Sequence, residues 1–204
     1  MAEIPAGVVE LGQAGSRNVE VAGFCMDLTE VTVTAYASCV GAGVCPPQSA
    51  ACDPPVGGGR RPVSCVDWNG ASAYCGWVGK RLPTEEQWVR AACGGDGRIY
   101  PWGNAEPTDQ LCWMGEPGRF RNGSRGLCDV GSFAAGKSPF GPLDLAGNVS
   151  EWTSSVDRGL HVIRGGGFNE SPAMMCCLWR CRSADGGDAV DPARGMRCVA
   201  SLRT

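Results

Sequence analysis

Apolar and polar residues recur at helical spacing between positions 68 and 78. The positions that share one helix face there, at intervals of three and four residues, are Trp68, Ala71, Ser72, Cys75 and Val78. Asp67 precedes this face as a candidate N-cap, and Gly79 follows it as a residue that ends a helix. The spacing therefore predicts an amphipathic helix whose apolar face packs on the core.

Two further helices are predicted from their ends. Thr84 and Gln87 have the spacing of a capping box, in which each side chain accepts a hydrogen bond from the other residue's backbone N–H. Gly94 follows this second helix as a stop. A shorter helix is expected near Thr34 to Val40, where Gly41 ends the run.

Short strands are predicted where apolar residues alternate with polar ones. The candidate strands are Val8 to Leu11, Val19 to Phe24, His161 to Arg164 and Met196 to Ser201. In the stretches 41–62 and 94–141, apolar residues recur at neither helical nor strand spacing. The pattern as a whole therefore indicates an α+β protein with short elements and a high loop content.

Composition favours the same class of protein. Gly (31) and Pro (14) are frequent among the 204 residues and only 19% are charged, which is typical of a loop-rich globule rather than a helical bundle. The length fits one domain, which we expect to cover residues 1–204. The only histidine is His161, which excludes an iron centre with two histidine ligands.

The charge and hydropathy of the chain argue against two classes of partner. Lys and Arg (18) nearly balance Asp and Glu (21), and no basic run occurs, so no nucleic-acid footprint is visible. No apolar run approaches the ~20 residues that span a bilayer. The N-terminus also lacks the basic and apolar regions of a signal peptide. We therefore expect no nucleic-acid partner and no membrane insertion.

Thirteen cysteines are many for this length and indicate disulfides formed in an oxidising or surface compartment. The missing signal peptide argues the other way, so the sequence leaves the compartment open.

Four cysteines flank or lie in stretch 41–62, where disulfides would hold a segment too irregular to pack by itself: Cys39, Cys45, Cys52 and Cys65. We expect Cys112 and Cys128 to close a second loop, and Cys75 and Cys93 could face each other across two helices.

The stretch 141–152 is a candidate cation site. Its candidate oxygen ligands are Asp144, Gly147, Val149 and Glu151. The last three are two residues apart, so in extended backbone their equivalent groups point the same way. Two backbone carbonyls and two carboxylates could then converge on a calcium ion, which accepts mixed shells of this kind. The alternative is that Glu151 caps a turn and Trp152 fills the core.

Five motifs occur along the chain: Arg81-Leu82-Pro83-Thr84-Glu85-Glu86-Gln87-Trp88, Tyr100-Pro101-Trp102-Gly103-Asn104, Leu145-Ala146-Gly147-Asn148-Val149-Ser150-Glu151-Trp152, Arg164-Gly165-Gly166 and Gly195-Met196-Arg197-Cys198. In sequence and order they resemble the hallmarks of the sulfatase-modifying factor family, founded by the formylglycine-generating enzyme. The resemblance implies a C-type-lectin-like fold with short twisted sheets, two to three helices and disulfides. It also implies a structural calcium ion at Asp144, Gly147, Val149 and Glu151.

One function that the resemblance implies is oxidation. Active family members carry two cysteines, separated by four residues, shortly after Arg-Gly-Gly; they bind copper(I) and use oxygen to convert a substrate-peptide cysteine to formylglycine. Cys176 and Cys181 have this spacing, and soft paired thiolates suit copper(I). However, they lie farther from Arg164 than in the family pattern. An alignment on Arg182-Ser183-Ala184, as in non-catalytic members, would instead put Ala173 and Leu178 at the cysteine positions.

A second function is recognition of a protein or peptide ligand by a monomer. Variable proteins of diversity-generating retroelements use this scaffold and vary this segment, here 169–191. The candidate ligand-binding residues are Asn169, Glu170, Met174, Met175, Cys177, Leu178, Trp179, Arg180, Arg182 and Asp185. A third account is a buried structural loop whose cysteines bond to Cys25 or Cys198. We favour the non-catalytic recognition domain and keep the copper(I) oxidase as the alternative.

Overall fold

The computed structural model of the chain describes residues 1–12, 17–52, 58–114, 126–177, 181–182 and 190–202, except for the side chains of Pro172, Cys181 and Arg182. Its α-helices are α1 (Val33–Gly41), α2 (Trp68–Trp77) and α3 (Glu85–Cys93). Its strands are β1 (Ala2–Ile4), β2 (Gly7–Leu11), β3 (Arg17–Val21), β4 (Phe24–Met26), β5 (Ser150–Asp157), β6 (Leu160–Arg164), β7 (Cys181–Arg182), β8 (Arg194–Gly195) and β9 (Val199–Ser201). The expected α+β architecture of short strands and three helices is confirmed.

The helices begin and end within one residue of the predicted positions. Asp67 caps α2 by accepting a hydrogen bond from the Gly70 N–H at 2.7 Å. Thr84 and Gln87 form both halves of the capping box at the start of α3, and Gly94 ends that helix with a positive φ of 71°. These boundaries are local in origin, since each depends on residues within one turn.

The strands form three small sheets in the described part of the chain. Their orders are β1-β4-β9, β2-β3 and β7-β6-β5-β8. Strand β9 pairs antiparallel with β4, which brings the two ends of the chain into one sheet. Two expected strands are shorter than predicted: Val19 to Phe24 divides into β3 and β4, and Met196 to Ser201 is a strand only at Val199–Ser201. The longest strand, β5, was not predicted.

Four disulfides link the described loops and helices: Cys39–Cys45, Cys52–Cys65, Cys75–Cys198 and Cys112–Cys128. The expected crosslinks around 41–62 and across the second loop are confirmed. The proposed facing of Cys75 and Cys93 is wrong, because Cys75 on α2 bonds to Cys198 beside β9 instead. Within the described ranges, no helix is long and apolar enough to cross a membrane.

Candidate functional site

The segment that precedes β5 is a series of turns rather than extended backbone. Asp144, Gly147 and Asn148 have φ angles of 58°, 80° and 56°. The expectation of extended backbone from Gly147 to Glu151 therefore does not hold at Gly147 and Asn148, whereas Glu151 lies in strand β5. Gly147 is required here, because a Cβ at this position would lie 2.6 Å from the Cys112 carbonyl oxygen.

Glu151 is the second residue of β5 and is completely buried. Its carboxylate accepts hydrogen bonds from Arg197 Nε, at 2.9 Å to each oxygen, and from Trp88 Nε1 at 2.8 Å. Arg197 Nη2 also lies 2.8 Å from Glu151 Oε1. Burial raises the pKa of Glu151, while the charge of Arg197 and these hydrogen bonds oppose the rise. Arg197 thus supplies the nearest positive charge to this carboxylate.

A carboxylate that sequence reasoning missed, Glu30, joins this cluster from the turn before α1. Asn148 Nδ2 donates to Glu30 Oε2 at 3.3 Å, and Oε1 is buried with no hydrogen-bond partner among the described residues. Burial, and then the charge of Asp144, raise the pKa of Glu30 well above its ordinary value. No local pattern predicts this role, because an isolated Glu between Thr29 and Val31 is not distinctive.

Asp144 is the third buried carboxylate of the cluster. Its Oδ2 accepts a hydrogen bond from the Gly131 N–H at 2.6 Å. Burial raises the pKa of Asp144, while the hydrogen bond from the Gly131 N–H and the charge of Arg197 oppose the rise. Glu30, Asp144 and Glu151 together face one guanidinium, so two negative charges are uncompensated when all are ionised. In the described part of the chain, no three His, Cys, Asp or Glu side chains converge closely enough to hold a metal ion alone.

The start of segment 169–191 packs against two buried hydrophobic clusters, since Met175 belongs to one and Cys177 to the other. After Gly165 and Gly166, both with positive φ, the chain forms a short 3-10 turn over Pro172–Met175. Met175 and Cys177 are fully buried. Their predicted role as ligand contacts is therefore corrected: both side chains point into the core, where a ligand cannot reach them.

Other predicted contact residues are accessible. Asn169 is exposed, and Glu170, Met174 and Cys176 are partly exposed. Cys176 packs against the buried cluster that contains Tyr100, whose ring stacks on that of Trp102 with centroids 5.0 Å apart. The Glu170 carboxylate accepts a hydrogen bond from the Gly167 N–H at 2.8 Å, and burial raises the pKa of Glu170.

The remaining predicted residues cannot be placed as side chains. Leu178, Trp179, Arg180 and Asp185 lie outside the described residues, and only the backbone of Cys181 and Arg182 is described. In β7, Cys181 pairs with Ile163 and Arg182 with Val162, so the segment returns along the edge of the four-stranded sheet.

The cysteines of the segment are not bonded to the partners suggested by the structural-loop account. Cys198 is bonded to Cys75, whereas Cys25, Cys93, Cys176 and Cys177 are free thiols. Cys177 and Cys93 belong to the same buried hydrophobic cluster. Burial, and then the nearby Cys93 thiol, raise the pKa of Cys177, so its thiol remains protonated at neutral pH.

Curated sequences that resemble the chain include enzymes and a protein named as inactive. Inactive C-alpha-formylglycine-generating enzyme 2 of Mus musculus is 37% identical over 152 residues, which cover 69% of this chain and 49% of that protein. Formylglycine-generating enzyme of Mus musculus is 34% identical over 167 residues, which cover 69% of this chain and 44% of that protein. The chain thus spans less than half the length of these relatives.

Solved structures show the same fold at low identity. Treponema denticola variable protein 1 has a TM-score of 0.78 at 20% identity, covering 99% of this chain and 95% of that one. PvdO from Pseudomonas aeruginosa has a TM-score of 0.80 at 23% identity, and the match covers 98% of this chain and 93% of that one. The model of the sulfatase-modifying factor enzyme 1-like domain matches residues 1–202. The chain therefore belongs to the sulfatase-modifying factor enzyme 1-like domain family.

Proposed function

We propose that this chain is a non-catalytic recognition domain whose segment 169–191 contacts a protein or peptide ligand. The observation that carries the proposal is the division of side chains along 169–177. Met175 and Cys177 are fully buried and fix the backbone, whereas Asn169 is exposed and Met174 partly exposed. Such a segment presents polar and apolar groups from a fixed base, which lowers the entropic cost of binding.

The scaffold supports this role because its crosslinks lie elsewhere. No disulfide between described residues includes a cysteine of 169–191. The buried ion pairs Glu151–Arg197 and Arg164–Glu85 also lie outside it. Substitutions on the outer side of the segment would therefore leave the crosslinks and charge pairs of the core unchanged.

The family alone does not decide between recognition and catalysis, since it includes proteins named as active and as inactive.

The test of the recognition function is selection of peptides from a displayed random library on the immobilised chain. Asn169→Ala combined with Met174→Ala is expected to reduce retention of the selected peptides at least tenfold. Val156→Ala is the control, because Val156 is exposed on β5 outside the segment. Equal retention by both variants would contradict the proposal.

The alternative function is copper(I)-dependent oxidation of a substrate-peptide cysteine. Cys176 supports it, because this thiol is free and partly exposed. Copper(I) would be held by the thiolates of Cys176 and Cys181 and would supply oxygen activation. Titration with copper(I) separates the two functions: stoichiometric binding that is lost in Cys176→Ser and in Cys181→Ser would favour the oxidase, and its absence would favour recognition.

We also propose a structural calcium ion at the buried carboxylates, as the family is known to bind calcium. Asp144, Glu151 and the carbonyls of Gly147 and Val149 would hold it, with Glu30 supplying a further carboxylate nearby. The gathering of three buried carboxylates around one guanidinium and the unpartnered Glu30 oxygen fit a divalent cation. Calcium is expected to raise the Tm of chelator-treated protein. Glu30→Gln should weaken this rise, whereas Glu3→Gln on β1 should not; no calcium effect on the wild type would contradict the site.

A further inference from the structure

The motif at 100–104 holds two aromatic rings in a fixed stack. Tyr100 and Gly103 exchange backbone hydrogen bonds at 2.9 and 3.0 Å, which close a tight turn in which Gly103 has a φ of 122°. The rings of Tyr100 and Trp102 lie nearly parallel, with an angle of 5° between their planes. The turn therefore sets the position of the stack before any ligand is bound.

Trp102 is the outer ring of the stack. Tyr100 is only 6% exposed, whereas Trp102 is partly exposed. The Trp102 indole N–H donates to the Ala105 carbonyl at 2.9 Å, so the orientation of the ring is held and its hydrogen-bond donor is already used. What the ring offers a ligand is therefore its π-system, and indole attracts cations more strongly than the other aromatic rings do.

The stack adjoins the proposed recognition segment. Met175 of that segment belongs to the same buried cluster as Tyr100, and Trp102 packs against this cluster. The carbonyl of Ile99, directly before the motif, accepts a hydrogen bond from the Cys177 N–H at 2.8 Å. A peptide that contacts the outer side of the segment therefore passes close to the stack.

An uncompensated carboxylate lies beside the stack. Glu106 directly follows the residue that accepts the Trp102 hydrogen bond; it is exposed and, within the described part of the chain, forms no ion pair. Burial, and then the charge of Glu106, raise the pKa of Tyr100. A cation that precedes the motif, Arg98, is paired with Asp96 at 2.5 and 2.9 Å. The charge of Arg98 is thus compensated, whereas that of Glu106 is not.

We infer that the Tyr100–Trp102 stack is a subsite for an arginine side chain of the peptide ligand. The inference rests on the proposed recognition function and names a group that the ligand carries. A guanidinium is planar and weakly hydrated, so it stacks on the Trp102 ring while its N–H groups donate to the Glu106 carboxylate. An ammonium group lacks the planar face and the forked donors, so lysine binds less tightly there.

The test is a titration of the full chain with N-acetyl-arginine amide, in which NMR follows the N–H resonances of isotope-labelled tryptophan. The Trp102 resonance, assigned by its loss in Trp102→Phe, is expected to shift along a saturable curve. N-acetyl-citrulline amide, which has nearly the same shape without the charge, should bind at least tenfold more weakly. Trp77 is the control within the chain, since it is 41% exposed on α2 and its resonance should not move.

Glu106→Gln tests the carboxylate and should raise the Kd for N-acetyl-arginine amide at least threefold. Glu20→Gln is the matched control, because Glu20 is exposed on β3, away from the motif, and its variant should bind as the wild type does. No shift of the Trp102 resonance in the wild type, or equal shifts with the arginine and citrulline compounds, would overturn the subsite.

The titration needs no selected peptide, so its outcome is separate from that of the recognition function. Peptides selected on the wild type should be enriched in arginine, and this enrichment should be lost in selection on Trp102→Phe. Selected peptides without arginine enrichment would overturn the subsite and leave the recognition function standing. A charge-dependent shift of Trp102 without any selected peptide would support the subsite and contradict the recognition function.

Discussion

At the scale of single residues, backbone conformation and burial decide what each side chain can do. Gly147 and Gly159 have nearly the same φ, 80° and 81°, yet only Gly147 is surrounded by atoms. Likewise, Glu151 and Arg197 are fully buried together, whereas Arg60 and Asp129 pair at the surface. Each contrast separates an intrinsic residue property from the effect of its surroundings.

The first prediction concerns this pair of glycines. Gly159→Ala meets no atom within 4 Å, so its cost should be the left-handed backbone alone, about 1–2 kcal/mol. Gly147→Ala also forces the Cys112 carbonyl to move and should cost at least ~1 kcal/mol more. Urea denaturation of the two variants measures both values. Equal costs would show that the turn before β5 relaxes freely.

The second prediction concerns the buried cation. Arg197→Met leaves Glu151 without its partner and should destabilise the chain by about 3–5 kcal/mol, because a buried charge is left uncompensated. Arg60→Met is the control, since its side chain is 80% exposed and its removal should cost less than about 0.5 kcal/mol. Chemical denaturation in chelator compares the two. A small effect of Arg197→Met would mean that Glu151 is protonated in the folded state.

At the scale of elements, helix α3 connects the capping box to the charge cluster. Its first residue, Glu85, pairs with Arg164 on β6, and the pair is buried. Trp88, one turn later, donates to Glu151 on β5. The start of α3 therefore sets the position of the side chains that meet the four-stranded sheet.

The third prediction tests this dependence on the cap. Thr84→Ala removes the hydroxyl that accepts the Gln87 N–H at 3.2 Å and should cost about 1 kcal/mol of unfolding free energy. Thr84→Ser keeps the hydroxyl and should cost less than half as much. Thermal unfolding of both variants provides the measurement. Equal losses would assign the effect to packing of the Thr84 methyl group rather than to the cap.

At the scale of the whole molecule, contacts between the two ends of the chain close the fold. Strand β9 pairs with β4, and Val199 exchanges backbone hydrogen bonds with Arg81 at 2.8 and 3.0 Å. The Cys75–Cys198 disulfide crosslinks the same region across 123 positions, whereas Cys39–Cys45 spans 6. The long crosslink restricts the unfolded chain far more than the short one.

The fourth prediction follows from these loop lengths. Replacing both cysteines of Cys75–Cys198 by Ser should destabilise the chain by about 3 kcal/mol more than the same change at Cys39–Cys45, since the entropy of loop closure grows with the logarithm of loop length. Guanidinium denaturation of the two double variants measures the difference. A larger loss at Cys39–Cys45 would indicate that local strain or packing outweighs chain entropy.

The sequence by itself determined the features that depend on neighbouring residues. The caps Asp67 and Thr84 and the stop at Gly94 could be predicted, because a helix end is satisfied by groups within one turn. The ordered motifs likewise predicted the family and its fold. Strand β5 escaped prediction because its first four residues, Ser150 to Thr153, are all buried and show no alternation.

Only the tertiary structure decided which distant groups meet. Cys75 could be expected to face Cys93, but bonds to Cys198, while Cys93 joins the buried cluster that contains Cys177. Glu30 joins carboxylates more than a hundred positions away, and no local spacing encodes that contact. The burial of Met175 and Cys177 is of the same kind, because the packing of a residue outside regular structure depends on what the rest of the chain places beside it.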